Sequence, residues 1–360
     1  MLHAVIMAGG SGTRFWPLSR AAKPKQCLAL GTAEPLIVET SKRLEPLIAE
    51  SEQYIVAGQN LNEPLSQLFH SFKPQQFLWE PCARNTAPCI GLASLLLARR
   101  DPDAILAVLP SDHHIDAPGA FRHALKRAAQ AAATGALVTL GIRPTRPETG
   151  YGYIELEDTL KEGTEPINVR KFVEKPDRAR AQNYVDGERH LWNSGMFIFQ
   201  AKRMLRDLEK YQPALYQGLM ELAPAIDTPE FSETLAHVFP RLPSISIDYG
   251  VLEPCSDDPN GDPISVIPSD FGWNDVGSWE ALSDYNDSDA EGNITAGRVI
   301  AVDTKNSIIQ SHGPAISVLG MESVVIVSTN DAILVCPKEM VQRVKEIPAL
   351  AKARDWGDLC

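Results

Sequence analysis

The chain has 360 residues, 44% of them hydrophobic and 22% charged, with a formal net charge of −12. This composition suits a soluble globular protein with a substantial core, either one large α/β domain or a large domain plus a small one. The acidic balance argues against a general nucleic-acid binder, which needs a basic face, and no apolar stretch approaches the ~20 residues of a membrane span. The opening Met1-Leu2-His3-Ala4 has no basic n-region, so no signal peptide is expected. Six cysteines without a C-x-x-C pair point to free thiols in a reducing cytoplasm rather than to disulfides or zinc.

Ala4-Val5-Ile6-Met7-Ala8 is a short apolar run of the kind that makes a buried parallel strand. Leu36 to Ala49 reads as an amphipathic helix, Tyr54–Gly58 as a second strand and Phe77–Glu80 as a third. A helix from Ala87 to Arg100, a strand from Ala104 to Leu109, a helix from Phe121 to Ala133 and a strand from Ala136 to Leu140 follow. This alternation predicts βαβ units: a Rossmann-like mixed, mostly parallel α/β sheet flanked by helices. Ligands of such sheets bind at the carboxyl ends of the strands. From Tyr151 the strands shorten, with helices around Asp177–Asp186 and Met204–Leu222. Beyond Arg298 come five short β segments with turn residues between them: Arg298–Val302, Ser307–Gln310, Ala315–Leu319, Ser323–Val327 and Ala332–Cys336. They predict a small β-solenoid or meander closed by a helix from Lys338 to Lys345. The expected division is 1–287 for the large domain and 288–360 for the small β-helix-like one.

After the first strand the chain reads Gly9-Gly10-Ser11-Gly12-Thr13-Arg14. Glycines here remove the side chains that would keep a ligand from the backbone. Bare amides in such a turn can converge on an anion, which makes Ala8 to Thr13 a phosphate cradle. Arg14, Arg20, Lys23 and Lys25, with no acid among them, suit a polyphosphate better than one carboxylate. No Lys-Ser or Lys-Thr follows the glycines at P-loop spacing, and Phe15 stands where the dinucleotide fingerprint needs its third glycine. The run Gly9-Gly10-Ser11-Gly12-Thr13-Arg14, continued by Pro17, Ser19 and Pro24-Lys25, resembles the signature of the sugar-1-phosphate nucleotidyltransferases. Within that family it looks most like the mannose-1-phosphate guanylyltransferase branch.

Asp112, in Pro110-Ser111-Asp112-His113 at the end of the fourth strand, could cap the next helix or serve as a Mg²⁺ ligand beside the phosphates. Asp275, in the irregular Gly272-Trp273-Asn274-Asp275-Val276-Gly277, is a second candidate, and the resemblance implies that the two aspartates share the metal. His113 and His114 read as supporting or surface groups rather than ligands. Glu80, with Arg84-Asn85-Thr86 behind it, looks like the family's base-reading segment. A carboxylate accepts from guanine N1–H and N2–H₂ together, while Asn85 and Thr86 would also start the next helix well. Gly150-Tyr151, Glu174-Lys175, Asn193 and Asp248 occur in the family's order and resemble its sugar-phosphate pocket, although Glu174-Lys175 alone would read as a solvated charge pair.

The resemblance implies that GTP and α-D-mannose 1-phosphate become GDP-mannose and pyrophosphate with Mg²⁺ assistance. Ala8, Gly9, Gly10, Gly12, Thr13, Arg14, Lys25, Glu80, Arg84, Asn85, Thr86 and Ser111 would bind nucleotide, and Arg14, Lys25 and Asp112 would act in catalysis. A related transferase taking another nucleotide, or heptose or glucose 1-phosphate, carries the same motifs. A binding module that had lost catalysis would lack a cation or an acid that this chain keeps. The β tail is a candidate dimer contact.

Overall fold

Alternate residues of the first strand point to opposite sides of a nine-stranded sheet, as the period of two along an extended chain dictates. Val5 packs with Leu92 and Leu96 of the helix Thr86–Arg100 and with Leu208 and Leu219 beyond it. Ala4 and Ile6 pack on the other face with Phe121 and Leu125 of the helix Pro118–Ala133. Fully burying one such leucine or phenylalanine contributes roughly 1.5–3 kcal/mol, so two cores hold the strand ends rigidly. The computed structural model describes residues 1–10, 12–160 and 165–360.

The strands in chain order are β1 (Leu2–Ala8), β2 (Gln53–Gly58), β3 (Phe77–Glu80), β4 (Ile105–Pro110), β5 (His114–Ile115), β6 (Leu137–Ile142), β7 (Tyr153–Leu156), β8 (Ile167–Val173), β9 (His190–Gln200), β10 (Ile264–Ser269) and β11 (Trp273–Asn274). The main sheet runs β3-β2-β1-β4-β9-β6-β10-β8-β7. Its β3-β2-β1-β4 half is parallel throughout, so Gly9, Glu80 and Ser111 all lie at strand carboxyl ends on one edge. The other half is mixed: the eleven-residue β9 runs antiparallel to both β4 and β6. The small pair β5–β11 joins His114 to Asn274 and so draws the Asp112 and Asp275 segments together.

Two helices of the sheet domain differ from expectation, each through a proline. The helix starting at Leu36 ends at Lys42 rather than Ala49, because Pro46 has no N–H for the Lys42 carbonyl and its ring would clash there. The stretch expected to be one helix from Met204 to Leu222 is two, Ala201–Tyr211 and Pro213–Met220. Pro213 takes the first position of the second helix, where a missing N–H is harmless.

The tail adds β12 (Ile294–Ala296), β13 (Val299–Val302), β14 (Ile308–Ser311), β15 (Ile316–Leu319), β16 (Val324–Ser328) and β17 (Ile333–Pro337). Successive strands alternate between two parallel ladders, β12-β14-β16 and β13-β15, which is a β-helical coil. β17 turns back antiparallel on β16 and closes it. The expected terminal α-helix is a 3₁₀ segment, Lys338–Glu346, followed by a short α-helix, Ile347–Lys352. Val341, Val344 and Ile347 lie three apart and face inward, a spacing that suits three residues per turn. The tail does not stand apart from the sheet domain. Ile308, Val325, Val341 and Val344 share a core with Phe15, Trp16, Val276 and Trp279.

Candidate active site

The glycine turn brings Lys25 to the site by close backbone approach. Gly12 has φ 58°, and a Cβ there would sit 2.3 Å from the Lys25 Cβ and 2.8 Å from its nitrogen. Only glycine allows the chain to return this tightly. The Lys25 ammonium then donates to Asp112 Oδ2 at 2.8 Å and to the Asp275 carbonyl at 2.7 Å. Arg14 reaches the same segment through the Gly277 carbonyl at 3.3 Å. Two residues 163 positions apart in the chain are thus joined by one lysine.

Asp275 Oδ1 accepts from the Tyr151 hydroxyl at 2.6 Å. Burial and the Asp275 charge hold that phenol well above its usual range, so it remains a donor. Val276, β-branched, has φ 48°, a strained conformation stabilised by its amide donating to Asn274 Oδ1 at 2.7 Å. Burial alone would raise the Asp112 carboxyl, but the Lys25 charge and its hydrogen bond outweigh it and hold Asp112 below the usual range. His113 is buried, its Nδ1 accepts from Trp273 Nε1 at 3.1 Å, and burial depresses it to about 4, so it is neutral. It supports Asp112 from behind, with Nε2 4.0 Å from Oδ1. His114 instead stacks on Tyr285.

Asp112 stands where two cavities meet. One, of about 360 Å³, is lined by Gly12, Thr13, Arg14, Lys25, Asp112, Asp275 and Lys345. The other, of about 380 Å³, is lined by Gly9, Gly10, Glu80, Arg84, Asn85, Thr86, Asp112 and Asp248. Ala8 and Ser111 are fully buried behind them and present no side chain to either; the Ser11 amide lies outside the described residues. In the second cavity, Glu80 Oε1 and Arg84 Nε are buried without a partner. Buried polar atoms are nearly always paired, so these two mark where a polar ligand is accommodated. Burial raises the Glu80 carboxyl to about 7. Asn85 accepts from the Thr86 amide and caps the helix, while the Thr86 hydroxyl accepts from the Ile247 amide at 2.8 Å. Asn85 and Thr86 thus start the helix and also line the cavity.

Thr86 and Ile247 tie this cavity to a cluster of polar groups around Asp248. Asn193 Nδ2 donates to Asp248 Oδ1 at 3.0 Å, and burial followed by the Glu174 charge raises the Asp248 carboxyl to about 6. A Cβ on Gly152 would lie 2.6 Å from Glu174 Oε2, so a side chain there would displace the Glu174 carboxylate from its present position. Lys175, at φ 46°, pairs with Glu174 at 2.6 Å. Gly150 and Tyr151 are placed differently from the other four sugar-phosphate candidates. The Gly150 amide binds Glu148 at 3.1 Å. Tyr151 faces Asp275 and lines a separate cavity of about 850 Å³ with Arg146, Trp192 and Trp273.

The chain is similar to known proteins over nearly its whole length. A nucleotidyl transferase family model matches residues 3–292, and one for the MannoseP isomerase/GMP-like beta-helix domain matches residues 297–348. The chain belongs to the nucleotidyl transferase family. The xanthan biosynthesis protein XanB of Xanthomonas campestris pv. campestris (strain B100) is 42% identical, over 97% of this chain and 73% of that protein. A mannose-1-phosphate guanylyltransferase of Escherichia coli is 38% identical over 96% of this chain and 73% of its own length. A crystal structure described as mannose-1-phosphate geranyltransferase from Thermus thermophilus superposes with a TM-score of 0.87 at 32% identity, covering 98% of this chain and 99% of that one.

In this nucleotidyltransferase, Asp112 and Asp275 face one cavity, and Asp112 already takes a cation, the Lys25 ammonium. Among the described residues no group of three or more His, Cys, Asp or Glu side chains could hold a metal. Two carboxylates completed by phosphate oxygens and water are what Mg²⁺ prefers, so the donor set fits that ion. Three contacts of the site were not foreseen, although Trp273 stands in the Asp275 segment itself. Trp273 holds His113, and Arg43 donates to the His113 carbonyl at 3.0 Å. Lys345 arrives from the tail. No local pattern marks Arg43 or Lys345, or the Trp273 contact with His113, because each acts across a long stretch of chain.

Proposed function

We propose that this enzyme transfers the guanylyl group of GTP to α-D-mannose 1-phosphate, giving GDP-mannose and pyrophosphate. An oxygen of the sugar phosphate attacks the α-phosphorus in line. The bond from that phosphorus to the bridging oxygen breaks, and pyrophosphate leaves with the electron pair. The nucleophile is already anionic, so no general base is required, and the protein acts by positioning and neutralising charge.

The purine sits in the Glu80–Arg84 cavity, where an ionised Glu80 accepts from N1–H and N2–H₂ of guanine. The triphosphate crosses Asp112 into the cavity of Gly12, Thr13 and Arg14. Lys25 leaves its contact with Asp112 to neutralise the α-phosphate, and Arg14 steadies the departing pyrophosphate. Glu174, Asn193 and Asp248 orient the sugar hydroxyls, with Lys175 near its phosphate. Mg²⁺, held by Asp112 and Asp275, would supply charge neutralisation where the two phosphates meet. The work takes place in the cytoplasm. The six thiols are unpaired, and no helix of the described residues is long and apolar enough to cross a membrane. A homodimer through the tail is proposed from its exposed Ile300, Val302 and Leu319, which share one small ladder.

The observation that carries the reading is the buried, unpartnered Glu80 Oε1 beside Arg84, one cavity away from Lys25. Pyrophosphate release decides it, with GTP, ATP, UTP, CTP and dTTP each offered mannose, glucose or heptose 1-phosphate, with and without Mg²⁺. Release is expected with GTP and mannose 1-phosphate only when Mg²⁺ is present. Preference for another nucleotide or sugar overturns the assignment.

A further inference from the structure

Lys345 lies in the 3₁₀ segment Lys338–Glu346 of the tail, yet it lines the Lys25–Asp112–Asp275 cavity beside Gly12, Thr13 and Arg14. Its neighbours fix it there. Val341 and Val344, 1% and 3% exposed, pack with Phe15, Trp16 and Trp279. Phe15 belongs to the same short turn as Thr13 and Arg14. Residues three apart on a 3₁₀ helix share a face, so Val341 and Val344 hold the inward side and Lys345, one position on, is exposed at the cavity rim. The adjacent Glu346 is engaged by Arg343 in two contacts of 3.0 Å. No carboxylate of the described residues makes an ion pair with Lys345 within 4.0 Å.

We propose that Lys345 is a third cation of the polyphosphate site, holding the β- and γ-phosphates of the nucleotide and then the pyrophosphate they become. The inference rests on the transferase reading above and adds to it that the β-helical tail completes the active site. The charges favour it. The cavity's own Asp112 and Asp275 offset Arg14 and Lys25, and a Mg²⁺ on the two aspartates would add two positive charges, still fewer than the negative charges of a triphosphate. A lysine suits that role, since a point charge on a flexible stem can follow the pyrophosphate as it leaves. Arg20, another cation of the signature, is drawn toward Asp331 of the tail at 3.3 Å.

Lys345→Ala, Lys345→Glu and Lys345→Arg, assayed in both directions in the full chain, test this. In Lys345→Ala, KM for GTP and, in reverse, for pyrophosphate should rise about tenfold, as for loss of one charged hydrogen bond. Lys345→Glu should be worse and Lys345→Arg close to wild type, with KM for mannose 1-phosphate and Tm unchanged in all three. Unchanged KM for GTP and pyrophosphate overturns the proposal, and so does an equal rise for both forward substrates with a lowered Tm. If the wild-type protein releases no pyrophosphate from GTP, the transferase reading fails by itself. Lys345 is then decided by calorimetry with inorganic tripolyphosphate: about tenfold weaker binding by Lys345→Ala supports it, and equal binding overturns it.

Discussion

Lys25 and Asp112 form a 2.8 Å ion pair in which the lysine is 8% exposed and the aspartate 30%. A lysine this buried is held in place by its surroundings, and the Asp275 carbonyl shares it. Lys25→Ala should therefore cut turnover about a hundredfold, the cost of losing one preorganised charge. Far-UV circular dichroism should show the fold intact. Rates equal to wild type would remove Lys25 from the chemistry.

Asp275→Asn keeps the main-chain oxygen that Lys25 uses and the side-chain oxygen that Tyr151 reaches. What it removes is the charge. The Mg²⁺ concentration giving half-maximal rate should rise at least about tenfold, the scale seen when the support of a metal site is lost. Tyr151→Phe deletes only the 2.6 Å hydrogen bond and should shift the midpoint less. A Mg²⁺ titration unchanged in Asp275→Asn would exclude it as a ligand.

Asp248 is buried between Asn193 and the Glu174 charge, which with burial lifts it to about 6. Asp248→Asn should raise KM for the sugar phosphate about tenfold, the cost of a hydrogen bond to a charged group, and leave KM for GTP unchanged. It should also flatten the dependence of sugar-phosphate KM on pH near 6. Equal effects on both substrates would mean that Asp248 shapes the nucleotide cavity through Ile247 and Thr86 instead.

The parallel half of the sheet and the ends of its strands were legible in the sequence, because Val5, Leu106 and their neighbours are buried on both faces and read as unbroken apolar runs. That the motifs at those ends converge follows from parallel pairing. What could not be read was every contact that depends on strand order. Tyr151 reaches Asp275 only because the antiparallel β9 separates β4 from β6 and pairs with β7. His113 is buried through β5 and β11, two-residue strands too short to leave a periodic signal. Pro46 and Pro213 are different: both breaks were written in the sequence, but the apolar spacing around them suggests continuous helices. Lys345 looks like any solvated charge until the β coil brings its segment back to the signature turn.

Glu80 gives stability a pH dependence of definite sign. Burial lifts its carboxyl from the ordinary 4.5 to about 7, so the folded state binds the proton more tightly than the unfolded state. Stability is then greatest below about 4.5 as far as this group is concerned, and declines as pH rises toward 7. Glu80→Gln should stabilise the ligand-free protein at pH 8, by on the order of 1–3 kcal/mol, and not at pH 4. The same variant should lose selectivity for GTP. Denaturant melts at the two pH values check the first claim, and a variant destabilised at pH 8 would contradict it.

Gly12 and Gly9 separate the two uses of glycine in the signature. At Gly12 an added Cβ meets the Lys25 backbone at 2.8 Å with φ at 58°, whereas at Gly9 it meets nothing within 4 Å and φ is ordinary. Gly12→Ala should cost about 1–3 kcal/mol from the left-handed backbone alone and displace Lys25, so stability and turnover fall together. Gly9→Ala should fold as wild type, since its methyl group would project into the nucleotide cavity rather than into protein. Its effect should appear as a raised KM for GTP, with Tm unchanged. Thermal melts and GTP saturation curves for the pair distinguish these outcomes. A Gly12→Ala protein with normal Tm and normal turnover would mean that the close approach to Lys25 is not what places the lysine.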